Sequence, residues 1–462
     1  MTPDAKIQIF AIKRGMMEKR SDVNYYLPEY RYYTEKLLSA HKGKMHKISD
    51  FSDVICGPFG SAIKNTDYKA KGVPLLRITN ITPEGTLDYE NIKFISKELS
   101  ESLDRTRVSQ GDIVLSQRGS LGLFAIVDDR YDILNISANL IAIKNIKNHS
   151  PEFVKNYLNS RICKKLLARC QSGQIQCKIT TSDISEILIP SETAENDLNE
   201  IIANGYRIYK QKLQQAEELL AGMDEFIAQR IGFSNDTTHT RSLCWGVQKS
   251  RFNSRRLDAL FYQSSSNAKY RQITRFHLSE IASINGNSKS CIKFPEEVPY
   301  IGLPECTLGT ISSVRIKKYK DVCGRNVAIP GDILFARIEP SIFNKKYVWG
   351  GNLRGHDWAF LSTEFYTIRA KNSNMQKFLY AMLFFPSVYK QFCGKTVGST
   401  GRRRIDRRSL EEVIIPVPRI EICKEIGDEF FIRRKKADEI RSTAERKWQE
   451  SREQFEKELL GE

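Results

Sequence analysis

Over 462 residues the chain is 40% hydrophobic and 27% charged, which allows two or three domains with cores of their own. Lysine and arginine number 72 against 55 acidic residues, a net charge of +17. An excess of that size favours a polyanionic partner, commonly nucleic acid, with an acidic protein as the other reading. Ten cysteines form no CxxC pair and six histidines no HxxxH. That excludes the usual zinc spacings, even for the seven-spaced Cys163, Cys170 and Cys177, and points to reduced thiols in a cytoplasm.

The first apolar run, Ile7–Ile12, is too short for a secretory core or a membrane span. Beyond it, five short patterns each return once, in the same order, 220–236 residues later. Arg20, Asp22, Tyr25 and Tyr26 are answered by Arg256, Asp258, Phe261 and Tyr262. Ile48–Phe51 is answered by Leu278–Ile281, and Val73–Leu76 by Val298–Ile301. Gly111–Leu115 returns as Gly331–Phe335, and Ile184–Pro190 as Leu410–Pro416. The period is far too long for a solenoid, so it implies two copies of one domain.

Within each copy the signals are those of an α+β domain. Val108–Leu115 and Ile329–Phe335 read as strands entered through Gly-Asp; Leu75–Ile81 and Phe365–Ile368 are rich in β-formers. Glu152–Cys170 and Met375–Phe392 read as helical. Each copy closes on a long helix. In Ala194–Ile231 apolar residues recur three or four apart from Leu198 to Ile231, and Glu421–Leu460 keeps nearly the same spacing. Two seams of that length predict two helices packed along each other. Polar Asn235–Thr240 reads as the linker between the copies.

No catalytic constellation emerges. Gly394-Lys395-Thr396 lacks the first glycine of a phosphate loop, because Tyr389 stands there. No GxGxxG follows a strand, no Asn-Pro-Pro-aromatic tetrapeptide occurs, and no GxSxG is present. Glu445 and Lys447 form an ExK, but on a helix that pair reads as a solvated charge run.

The binding signals are fuller. Arg402, Arg403 and Arg404 follow a glycine-serine turn, and guanidinium forks suit phosphate oxygens or guanine edges. In the first copy the matching stretch carries Gln174, Gln176 and Lys178. Gly57-Pro58-Phe59-Gly60-Ser61, with Lys64, reads as a second close-approach loop. Arg118 and Arg337 follow the two Gly-Asp strands, and Arg77 sits in the Leu75–Ile81 stretch. For each of these, a solvated basic loop or a structural ion pair is the alternative. The tyrosines at 25, 26, 30, 32 and 33 read as core or docking surface.

In their order and duplication, GPFGSAIK at 57–64, GDIVLSQRG at 111–119 and GDILFAR at 331–337 resemble the specificity subunits of type I restriction–modification enzymes. The resemblance implies a target-recognition domain at 44–193 and another at 240–418. Around them lie an N-terminal docking segment at 1–43, a spacer helix and linker at 194–239 and a C-terminal spacer helix at 419–462. It implies a non-catalytic, cytoplasmic subunit whose heads each read half of a split site in double-stranded DNA. The spacer helices would form an antiparallel coiled coil. The expected partners are two methyltransferase subunits, which would carry S-adenosylmethionine, and translocating restriction subunits, which would use ATP and magnesium. No cofactor or metal is expected in this chain. A basic scaffold for an acidic protein, and a nuclease or modification enzyme with an unrecognised site, stand as alternatives.

Overall fold

The computed structural model describes residues 26–462 except 83, 118–122, 169–178, 192–193, 235–268, 271–272, 287–293, 308, 393 and 399–402. The chain divides into two compact units. The first runs to Gln211 and takes in Thr443–Glu462; the second is Lys212–Ser442. The linker expected at Asn235–Thr240 and the repeat around Arg20 and Arg256, Tyr26 apart, lie outside the described residues.

In the first unit two four-stranded sheets form the head. One runs, in spatial order, Asp53–Cys56, Leu140–Lys144, Ile113–Ser116 and Phe124–Ile126, all antiparallel. Its central strands are buried on both faces, which is why they read as unbroken apolar runs. Ile113, Leu115, Ile141 and Ile143 face a helical layer holding Phe153, Tyr157 and Ile162. Val114, Leu140 and Ala142 face the second sheet through Leu76, Leu134 and Ile136. That sheet runs Lys93–Ile95, Val73–Leu76, Leu134–Ile136 and Arg107–Val108, its middle pair parallel. The helical patch expected at 152–170 is two helices, Pro151–Asn159 and Arg161–Ala168. Ser160 breaks it: its hydroxyl donates to Tyr157 O (2.6 Å) and accepts from Cys163 N (3.1 Å), capping the second helix.

The second unit repeats this order strand for strand. One sheet runs Ala282–Ile284, Phe365–Ala370, Ile333–Ala336 and Tyr347–Trp349. The other runs Arg315–Lys318, Glu297–Ile301, Ala359–Leu361 and Val327–Ala328, again with a parallel middle pair. In each unit the Ile-Pro pattern that closes the domain pairs with the strand that opens it: Leu188–Pro190 with Met45–Lys47, and Ile414–Val417 with Thr274–His277.

The repeated Gly-Asp is turn chemistry. Gly111 and Gly331 take φ of +88° and +85°, a region that only glycine enters freely. The following aspartates each accept a hydrogen bond from a backbone N–H three residues back, Ser109 N or Ile329 N, both at 2.9 Å.

The two long helices are Glu195–Arg230 and Ile420–Leu460. Each unit contains half of each, packed antiparallel. In the first, Tyr209 Oη donates to Glu445 (3.2 Å), the Tyr206 and Trp448 rings are 5.6 Å apart, and a Cβ on Gly205 would collide with Ser451. In the second, Arg230 pairs with Glu425 (2.6 Å), and Met223, Ile227 and Ile231 share a core with Ile426 and Phe430.

Candidate DNA interface

In the first head the described ends of the candidate segments converge on one edge. The strand Asp53–Cys56 leaves its sheet at Gly57, whose N–H donates to Leu140 O (2.8 Å). A Cβ there would collide with Ser137 O, so the loop passes only as glycine. Ser137 N in turn donates to Leu76 O (2.9 Å), which brings the position of Arg77 to the same edge. The strand Ile113–Ser116 runs into Gln117, a buried residue that sequence reasoning passed over. Its side-chain amide donates to Cys56 Sγ (3.2 Å), and its backbone carbonyl accepts from Ile179 N (3.3 Å). Gln117 thus gathers the Gly57 loop and the ends of the stretches that hold Arg118 and Gln174, Gln176 and Lys178. Those four side chains lie outside the described residues.

Arg118 and Arg337 follow the two Gly-Asp strands at different positions. Ile405 N donates to Arg337 O (2.9 Å) just as Ile179 N does to Gln117 O. Counted from the Gly-Asp turns, Gln117 and Arg337 occupy one register, and Arg118 falls one place further on. The signal was in the strand spacing itself.

On the Gly57 loop Phe59 is 91% exposed, and Ser61 and Lys64 are exposed too. Phe59 O accepts from Ala62 N (2.8 Å), and Lys64 N donates to the Asp67 carboxylate (2.7 Å). Arg77 is half-buried. Its guanidinium donates to Asn91 O (3.1 Å), while its Nε is buried with no partner among the described residues.

In the second head the arginines are drawn into the protein. Arg403 donates to Thr396 O (3.0 Å), with Glu339 3.6 Å away. Arg404 forks onto the Glu364 carboxylate (2.6 and 2.9 Å). Both brace the hairpin of Thr396–Val397 and Arg404–Ile405. Arg402 lies outside the described residues. Arg337 is half-buried, its guanidinium 4.9 Å from the Tyr366 ring centre and its Nε without a partner among the described residues. Burial raises the Tyr366 phenol pKa.

On the helix side of the first unit lies a cavity of about 550 Å³ whose lining includes aromatic (Tyr206, Trp448), basic (Lys155, Lys164) and acidic (Glu152, Glu456) side chains. Burial lowers the pKa of both lysines. Among the described residues no helix is long and apolar enough to cross a membrane.

A family model described as the type I restriction modification DNA specificity domain matches residues 42–216 and again residues 271–432. No curated protein matches the chain. Among solved structures it is similar to a type I restriction–modification S subunit from M. genitalium, at 14% identity and TM-score 0.40, covering 90% of this chain and 95% of that one. It is similar to the HsdS subunit from Thermoanaerobacter tengcongensis at 14% identity and TM-score 0.33, with the same coverage. A chain from a structure on complex assembly and conformational transition of the type I R-M system gives 13% identity, TM-score 0.45 and coverage of 90% and 96%. Because the family model matches each of the two repeated heads separately, the chain belongs to the type I restriction–modification DNA specificity family and is a DNA sequence-recognition subunit, not a catalytic one.

Proposed function

We propose that the chain reads a split site in double-stranded DNA, one half with each head, and directs two methyltransferase subunits to it, with restriction subunits joining that assembly in the cytoplasm. The supporting observation is the duplication itself. Two heads of one topology each carry their own Gly-Asp strand, and each strand ends beside candidate DNA-facing segments. The domain limits proposed are 44–193 and 240–418 for the heads, with residues 1–43, 194–239 and 419–462 for docking and spacing. The proposed contacts in the first head are Gly57, Phe59, Ser61, Lys64, Arg77, Arg118, Gln174, Gln176 and Lys178. In the second they are Arg337 and Arg402, with Arg403 and Arg404 setting the loop that carries Arg402. The helix pair is the proposed methyltransferase docking face. A basic scaffold is less apt, since the matching family is one of DNA specificity.

The test is selection of duplexes from a random library by the full chain with its methyltransferase. Two short conserved half-sites at a fixed gap are expected. One continuous site, or none, would refute the reading.

A further inference from the structure

We infer that Phe59 is an intercalating wedge, a side chain that parts one base step in the half-site read by the first head. This rests on the reading of the Gly57–Lys64 loop as DNA-facing and goes beyond it by assigning the ring its action. Phe59 is the most exposed large hydrophobic side chain among the described residues, at 91%; the next, Ile432, is 62% exposed. Its backbone is nevertheless held. Gly57 is pinned to Leu140 O and lies against Ser137, Pro58 fixes the approach, and the Ala62 N–H closes the turn onto Phe59 O. The ring is therefore presented as the tip of a short, braced loop. A phenyl ring offers no hydrogen bond, and at a base edge it meets only the thymine methyl, which covers a small part of the ring. Stacked duplex DNA shows no free base face, so the ring gains full burial only by entering between bases, as apolar wedges do in kinked DNA.

Around it the chemistry suits a phosphate backbone: Lys64 is exposed five residues on, and Ser61 stands between. At the offset of the Leu278–Ile281 repeat the corresponding stretch of the second head is 287–294, which carries Lys289 in the place of Phe59. Its one aromatic residue, Phe294, packs against Tyr319 and Phe360, and 287–293 lie outside the described residues. The distortion is thus assigned to one half-site only.

The test uses the full chain and a duplex selected from a random library, with 2-aminopurine placed in turn at each purine. Wild type should raise fluorescence at one step of the half-site that changes when residues 44–190 are exchanged, and at no step of the other. Phe59→Ala should abolish the rise and weaken binding ~10–100-fold, the loss expected for one aromatic side chain left unburied. Phe59→Trp should retain both. The same rise with Phe59→Ala, or no rise with wild type, overturns the wedge. Lys64→Ala separates the two readings. If it weakens binding and flattens the salt dependence while Phe59→Ala changes nothing, the loop faces DNA and the wedge alone fails. If neither variant alters binding, the loop reading fails as well.

Discussion

Asp112 and Asp332 hold the same turn in the two heads and live in different electrostatic surroundings. Asp332 is 1% exposed and receives two hydrogen bonds from Arg369, both 2.7 Å, which raise the arginine's pKa. Removing Asp332 takes both of these hydrogen bonds from Arg369, whose guanidinium is partly exposed. Asp332→Ala is therefore expected to destabilise the second unit by about 1–3 kcal/mol in urea denaturation. Among the described residues no arginine pairs with Asp112; its second oxygen accepts from Asn145 N (3.3 Å), and burial raises its pKa. A carboxyl whose folded-state pKa lies above its unfolded value binds its proton more tightly when folded. Its contribution is thus greatest below the unfolded pKa and falls as pH rises through the folded one. The stability difference between Asp112→Asn and wild type should accordingly move in favour of the variant from pH 3 to pH 7. A pH-independent difference would contradict the assignment.

At the scale of elements, two glycines and one hairpin carry sharp expectations. Gly205 is where the long helices of the first unit touch, with Ser451 occupying the space of a Cβ. Gly205→Val should cost about 1–3 kcal/mol through overpacking, read as a lowered melting temperature. Gly57→Ala should shift the loop off Ser137 and impair one half-site in a binding selection while sparing the other. In the arginine hairpin the three side chains should separate. Arg402→Ala should lower the slope of log affinity against log salt by about 1. Arg404→Ala should act mainly on the hairpin, since its charge is already matched by Glu364 across a partly exposed pair. Equal salt effects from the two variants would put both at the DNA.

For the whole molecule, independent heads predict modular exchange. Replacing residues 44–190 with the head of another family member should change one half-site and leave the other intact. Four residues inserted after Gln215, in register with the seam, would lengthen the helix by about 6 Å and turn it by about 40° beyond a full turn. The selected gap should then widen by about one or two base pairs, at ~3.4 Å per pair. An unchanged gap with full activity would detach spacing from helix length.

The sequence determined by itself that there are two copies of one α+β head and two long helices, because period and repetition are properties of the chain. Buried strands such as Ile113–Ser116 and Ile333–Ala336 announce themselves as apolar runs, and the amphipathic seams place the helices within a residue of Glu195–Arg230 and Ile420–Leu460. Residue type also marked the loops, since only glycine fits at Gly57, Gly111 and Gly331. What each polar side chain does was decided by the tertiary structure. Arg403 and Arg404 look like free forks in the sequence, yet Glu339 and Glu364, far back in the chain, claim them. Gln117 looks unremarkable there and proves to be the junction of the first head's candidate edge. The reason is physical: a hydrogen bond or ion pair depends on partners that only folding brings within about 3 Å, whereas burial periodicity and glycine's freedom are local and can be read along the chain.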